Sequence, residues 1–109
     1  MRNRYCERRD RLRRAIRKTG MDAILVTDFT NVTYLTGFSG DDSYLLIHGA
    51  NETIISDGRY TTQLDEECPG LDRHIRRTGV PLHEATAKVL RAARISRLAV
   101  EGDSMTVSF

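Results

Sequence analysis

Asn31-Val32-Thr33-Tyr34-Leu35-Thr36-Gly37-Phe38-Ser39-Gly40, with Asp57-Gly58-Arg59-Tyr60 seventeen residues further on, is the part of this chain that decides its fold. Each segment follows an apolar run, Ala23 to Val26 for the first and Thr53 to Ile55 for the second. Short continuous apolar runs of this kind read as buried strands. Each segment then places Gly, aromatic and hydrogen-bonding residues where its strand ends. In open α/β sheets the carboxyl ends of strands border the ligand crevice, so polar groups gathered there have a functional reading that a helix face lacks.

Working outward, Tyr5, Leu12, Ala15 and Ile16 recur at helical intervals before Gly20, a left-handed terminator, and predict an amphipathic helix with an Arg-rich polar face. Asp28 to Thr36 is polar and turn-forming and reads as a short helix presenting Tyr34. Tyr44–Ile47 and Thr53–Ile55 predict a hairpin whose loop, His48 to Asn51, is about four residues long. Asp57-Gly58 turns the chain into a helix over Tyr60 to Cys68, which ends before Pro69-Gly70. Asp72 to Arg77 reads as an exposed strand near an edge. Pro81 starts a helix with Leu82, Ala85, Val89 and Ala93 on one face, and Leu98 to Val100 is the last strand. The order predicts one α/β domain over residues 1–109: a mixed, mostly parallel sheet flanked by helices, with the hairpin as its antiparallel element.

The wording of the two segments resembles the amino-terminal domain of the creatinase/prolidase/aminopeptidase P family, metallopeptidases that act at bonds next to proline. That domain carries an Asn-x-x-Tyr-Leu-[Ser/Thr]-Gly-Phe segment, then a hairpin, then an Asp-x-Arg-Tyr element opening a helix, all present here in order. The resemblance runs from about Arg11 to Phe109 and includes Val100-Glu101-Gly102-Asp103. It implies a separate carboxyl-terminal domain that binds two divalent ions (Mn, Co or Zn) through two Asp, one His and two Glu. Nothing of that catalytic domain lies in these 109 residues. Asp103 to Phe109 reads as a helix entry. The expectation is therefore an isolated or truncated domain, with a final strand and helix lying beyond Phe109.

Composition agrees with an ordinary globular domain: 39% apolar and 29% charged residues, and no run near the roughly 20 apolar residues needed to span a membrane. No apolar segment follows the basic amino terminus as a secretory signal requires, so the expected location is cytoplasmic and Cys6 and Cys68 are expected to be free thiols. Residues 2–18 hold nine Arg or Lys against Glu7 and Asp10, on a chain whose net charge is only +2, so the remainder is acidic. A basic helix admits a nucleic-acid reading. With no aromatic residues interleaved to stack bases, a solvated face pairing with acidic surface on this subunit or another is the better reading.

Autonomous catalysis finds little support in the residues. His48, His74 and His83 form no His-Glu-x-x-His, Ser39 lies outside any Gly-x-Ser-x-Gly elbow, and no phosphate-binding glycine motif occurs. No catalytic residue and no metal ligand is assigned. Arg59 can present a fixed fork to a carboxylate or carbonyl, and Asp57 can hold Arg59 or cap the helix after it. Tyr34 and Phe38 can form an apolar wall for a proline ring, or can both plug the core. Carried over from the resemblance, the substrate-pocket set is Phe38, Ser39, Gly40, Asp41 and Arg59. The implied function is the non-catalytic amino-terminal domain of an Xaa-Pro aminopeptidase or dipeptidase. It would wall the pocket for an Xaa-Pro peptide and make contacts with the catalytic domain and within a homo-oligomer. The alternatives are a stand-alone binding module that uses its basic helix, and the amino-terminal domain of a creatinase-like hydrolase of small molecules.

Overall fold

The computed structural model describes residues 3–101. The helix entry expected at Asp103 to Phe109 lies outside them. The chain runs α1 (Arg4–Lys18), β1 (Ala23–Val26), α2 (Phe29–Thr36), β2 (Tyr44–His48), β3 (Asn51–Asp57), a 3-10 turn (Gly58–Tyr60), α3 (Thr61–Glu67), β4 (Asp72–Arg76), α4 (Leu82–Ala92) and β5 (Leu98–Val100). Local chemistry sets these ends. Asn3 accepts a hydrogen bond from Cys6 N at the start of α1 (2.9 Å), and Gly20 turns the chain beyond its end at φ +79°. The hairpin is tighter than expected: His48 pairs with Asn51, leaving only Gly49 and Ala50 between the strands. Helix α3 begins later than expected, because Asp57 first accepts Arg59 N and holds a 3-10 turn.

The five strands lie in the order β4-β3-β2-β1-β5. The sheet is mixed, as expected, but the expected majority of parallel pairings is corrected to an even division. β1–β5 and β3–β4 are parallel, while β2 is antiparallel to both β1 and β3. After α2 the chain stays at the carboxyl end of β1, so β2 starts there and must run back alongside it. β4 is a sheet edge, as its exposed, weakly alternating sequence suggested.

Alternation along the strands sends side chains to two apolar layers. Ile24, Val26, Leu45, Ile47 and Ile54 meet Ile16 of α1, Val32 and Leu35 of α2, and Leu64 of α3. Ala23, Leu25, Leu46, Ile55 and Leu98 meet α4 through Ala85, with Leu82, Val89 and Leu90 packed around them. Both cysteines are free, and burial pushes the Cys68 thiol up.

Part of the basic character of α1 turns inward. Arg9 and Arg13 are only 7% and 9% exposed and converge on Glu52 at the start of β3. Arg9 Nε lies 3.0 Å from Glu52 Oε1, and Arg13 Nη2 donates to Glu52 Oε2 at 2.6 Å. Arg9 also donates to Leu35 O (2.8 Å) and Arg13 to Gly49 O, so α1 is fastened to α2 and to the hairpin tip.

Candidate functional site

The loop from Gly37 to Ser43 is built by the hydroxyls of α2. Thr36 Oγ1 donates to Val32 O (2.7 Å) and accepts from Phe38 N (3.0 Å), while Thr33 Oγ1 donates to Phe38 O (2.8 Å). These bonds satisfy the Phe38 peptide and drive its ring into the core, where it is 0% exposed. There it meets Tyr60 edge to face, with ring centroids 5.5 Å apart and planes at 87°. Gly40 crosses directly above the two rings. A Cβ at that position would sit 2.4 Å from Phe38 Cζ and 2.9 Å from Tyr60 Cδ1.

The second segment joins the first through polar contacts. Tyr60 OH donates to Asp41 Oδ1, and this bond raises the Tyr60 pKa. The Arg59 fork grips Asp57 with both arms, Nε to Oδ1 and Nη2 to Oδ2, each at 2.9 Å, and reaches Asp42 Oδ2 at 3.4 Å. Asp57 also accepts Arg59 N (3.0 Å) and Arg76 Nη2 (3.3 Å). The Arg59 hydrogen bonds, foremost the side-chain pair, hold the Asp57 carboxyl at about 2 and push the guanidinium pKa up. Ser39 is fixed on the other side: its N donates to Glu67 Oε1 (3.0 Å), its Oγ lies within 3.2 Å of both Glu67 oxygens, and Gln63 Nε2 donates to that Oγ (2.9 Å). The Ser39 N–H bond is the chief reason the Glu67 pKa is lowered.

Because the folded pKa of Asp57 lies below its unfolded value near 4, its contribution to stability is complete above that value and is lost as pH falls through about 2. Urea unfolding at stepped pH should show stability dropping across that window. Asp57→Asn should flatten this part of the profile, and an unchanged acid limb in the variant would show that other carboxylates cause it.

Of the five residues predicted to line a pocket, Ser39, Asp41 and Arg59 are exposed, with the Arg59 side chain 59% exposed. Asp41 and Arg59 are linked through Tyr60 and Asp42, Ser39 is held by Glu67 and Gln63, and Phe38 and Gly40 are buried. Tyr34 parts company with Phe38. It is 52% exposed, stacked under the Arg8 guanidinium at 3.9 Å, and lines a separate cleft of about 320 Å³ between α1 and α2. The shared wall and the shared core plug are both corrected: two residues one helical turn apart sit on different sides of the α2 terminus.

Sequence reasoning missed a contact between its own motifs. Glu101, just past β5, accepts from Asp28 N (2.7 Å), Thr27 N (2.5 Å) and Asn31 Nδ2. Its carboxylate therefore caps the entrance to α2 from a neighbouring strand, and the hydrogen bond from Asn31 leads those that lower its pKa against its burial. The parallel pairing of β1 and β5 brings these residues together, and nothing in local spacing announces it.

The metal ions implied by the family resemblance do not fit this chain's described residues. No three His, Cys, Asp or Glu side chains there gather in a way that could hold an ion. The acids of the site already face other groups: Asp57 two guanidiniums, Asp41 a phenol, Glu67 a serine and a glutamine. No helix among the described residues is long and apolar enough to cross a membrane.

Comparison with known proteins gives a consistent set of matches. The family model for the creatinase/prolidase N-terminal domain matches residues 8–109. The uncharacterized peptidase YqhT of Bacillus subtilis is 36% identical over 97 residues, which are 89% of this chain and 27% of that protein. The Xaa-Pro dipeptidase of Bacillus anthracis superimposes with a TM-score of 0.81 at 28% identity, covering 94% of this chain and 28% of that one. The N-terminal domain of the cytoplasmic peptidase PepQ of Mycobacterium tuberculosis superimposes with a TM-score of 0.80 at 35% identity, covering 93% and 77% respectively. This chain thus spans about a quarter of the length of the two full-length relatives.

Proposed function

We propose, because the chain belongs to the family of creatinase/prolidase N-terminal domains, that it is the non-catalytic domain of a metal-dependent Xaa-Pro aminopeptidase or dipeptidase. In this reading it shapes the substrate pocket and makes subunit contacts, in the cytoplasm and within a homo-oligomer. The divalent ions, Mn, Co or Zn, and the bond-breaking chemistry belong to the partner catalytic domain. What supports the division of labour is that Ser39, Asp41 and Arg59 are exposed and preorganised. Their side chains are locked by Glu67, Tyr60 and Asp57, with Phe38 and Gly40 buried. A guanidinium held in a fixed orientation loses little freedom when it meets a peptide carbonyl or carboxylate. Ser39 and Asp41 offer hydrogen-bonding partners alongside.

The 109-residue chain, supplied with manganese and an Xaa-Pro dipeptide, should give no turnover. Hydrolysis by this chain alone would refute the assignment. In the protein joined to its catalytic domain, Arg59→Ala should lower kcat/KM for an Xaa-Pro peptide about tenfold, mainly through KM. Unchanged kinetics would remove Arg59 from the pocket.

A further inference from the structure

A second polar cleft, of about 340 Å³, opens between the 3-10 turn after β3 and the loop joining β4 to α4. Arg59, Arg76 and Arg77 line it against Asp57, and Asp42 reaches Arg59 from outside the cleft, so one positive charge is left over. Asp57 is already engaged by Arg59 and Arg76. Arg76 is anchored by donating from Nη1 to Val80 O (2.6 Å), and its buried Nε has no partner among the described residues. The Arg77 guanidinium has neither a hydrogen bond nor an ion pair among the described residues. The loop is a tight turn in which Val80 N donates to Arg77 O (3.0 Å) and Gly79 takes φ +89°, setting Thr78 and Gly79 on the cleft wall.

We propose that this cleft is a binding site for the phosphate group of a small phosphate ester or diphosphate. A phosphate carries about −1.5 to −2 charge at pH 7 and three strong acceptor oxygens. Counted with Lys88 and Arg91 against Glu84 in the cleft that adjoins it, the excess is two positive charges and matches that of the phosphate, whereas one carboxylate would leave a cation uncompensated. Arg77 supplies a free planar fork, and the anchored Arg76 keeps the local field positive. The volume admits a phosphate with a modest attached group. A larger adjoining cleft, about 650 Å³, shares Arg76 and Arg77 and adds Lys88 and Arg91 against Glu84. A second phosphate would find its cations there. The site shares Arg59 with the proposed peptide-binding surface, but its unpartnered cation is Arg77 and it does not rest on that reading.

The test is amide NMR titration of the full chain with inorganic phosphate and with pyrophosphate, at ionic strength held constant with chloride. Saturable shifts at Gly58, Thr78 and Gly79 are expected. Arg77→Ala should weaken binding of both probes about tenfold, and because its side chain is exposed and unpartnered the change leaves the fold intact. Lys88→Ala with Arg91→Ala should weaken pyrophosphate binding while leaving phosphate nearly unchanged. Equal shifts from chloride alone, or unaltered affinity in Arg77→Ala, would overturn the proposal. Equal affinity for acetate would also overturn it, because the seat would then suit any carboxylate.

Discussion

Gly40→Ala should cost about 3 kcal/mol of unfolding free energy, at the upper end of the usual range for overpacking a core. The φ of Gly40 lies outside the left-handed region, so the variant tests space alone. The new Cβ would sit 2.4 Å from Phe38 Cζ, and an aromatic that is 0% exposed has no open volume to swing into. Tyr60 blocks the other side at 2.9 Å and is tied through its hydroxyl to Asp41. Strain would therefore spread to both segments of the candidate site. The measurement is the urea midpoint with the slope held as a check on two-state behaviour. Phe38→Leu should offset part of the damage: the double variant should be more stable than the sum of the two single changes by more than about 0.5 kcal/mol. Strict additivity, or a Gly40→Ala protein as stable as the parent, would show that the loop yields freely.

Glu52→Ala comes next in size, with an expected loss of about 3 kcal/mol. The change strips the shared carboxylate from two buried guanidiniums, Arg9 and Arg13. Each keeps a backbone acceptor, Leu35 O or Gly49 O, and Arg13 keeps Asp10, which places the loss at the low end for a broken buried pair. An exposed ion pair would cost under about 1 kcal/mol and fade with salt. The discriminating measurement is thus the stability difference at low and high salt. A large loss that persists in high salt is expected, and a small, salt-sensitive one would return Arg9 and Arg13 to the solvated face. Replacing all three residues by apolar ones of similar volume should recover most of the loss.

The two predictions rest on features of unequal legibility. Strand and helix order was readable because each element carries its own signal: the apolar run of β1, the periodic face of α4, the Gly and Pro punctuation between them. The Asn31–Gly40 and Asp57–Tyr60 segments were legible as a pair because they sit at strand ends, and they do meet, through Phe38 with Tyr60 and Tyr60 with Asp41. Which aromatic was buried was not readable. Tyr34 and Phe38 lie four residues apart, and only the hydrogen bonds from the α2 threonines to the Phe38 peptide turn one inward and leave the other under Arg8. Nor could a count of arginines separate Arg9 and Arg13 from their solvated neighbours, since Glu52 lies some forty residues away.

From residue order alone came the elements, a mixed α/β layer and the family resemblance, all properties of short-range pattern. Parallel against antiparallel pairing, the partner of each charge and the depth of each aromatic belong to the folded chain. They depend on which distant segments become neighbours: β5 beside β1 brings Glu101 to Asn31, and α1 over the hairpin brings Arg9 and Arg13 to Glu52. A local signal cannot carry that information, because the energy of a buried charge or ring is set by what surrounds it in space.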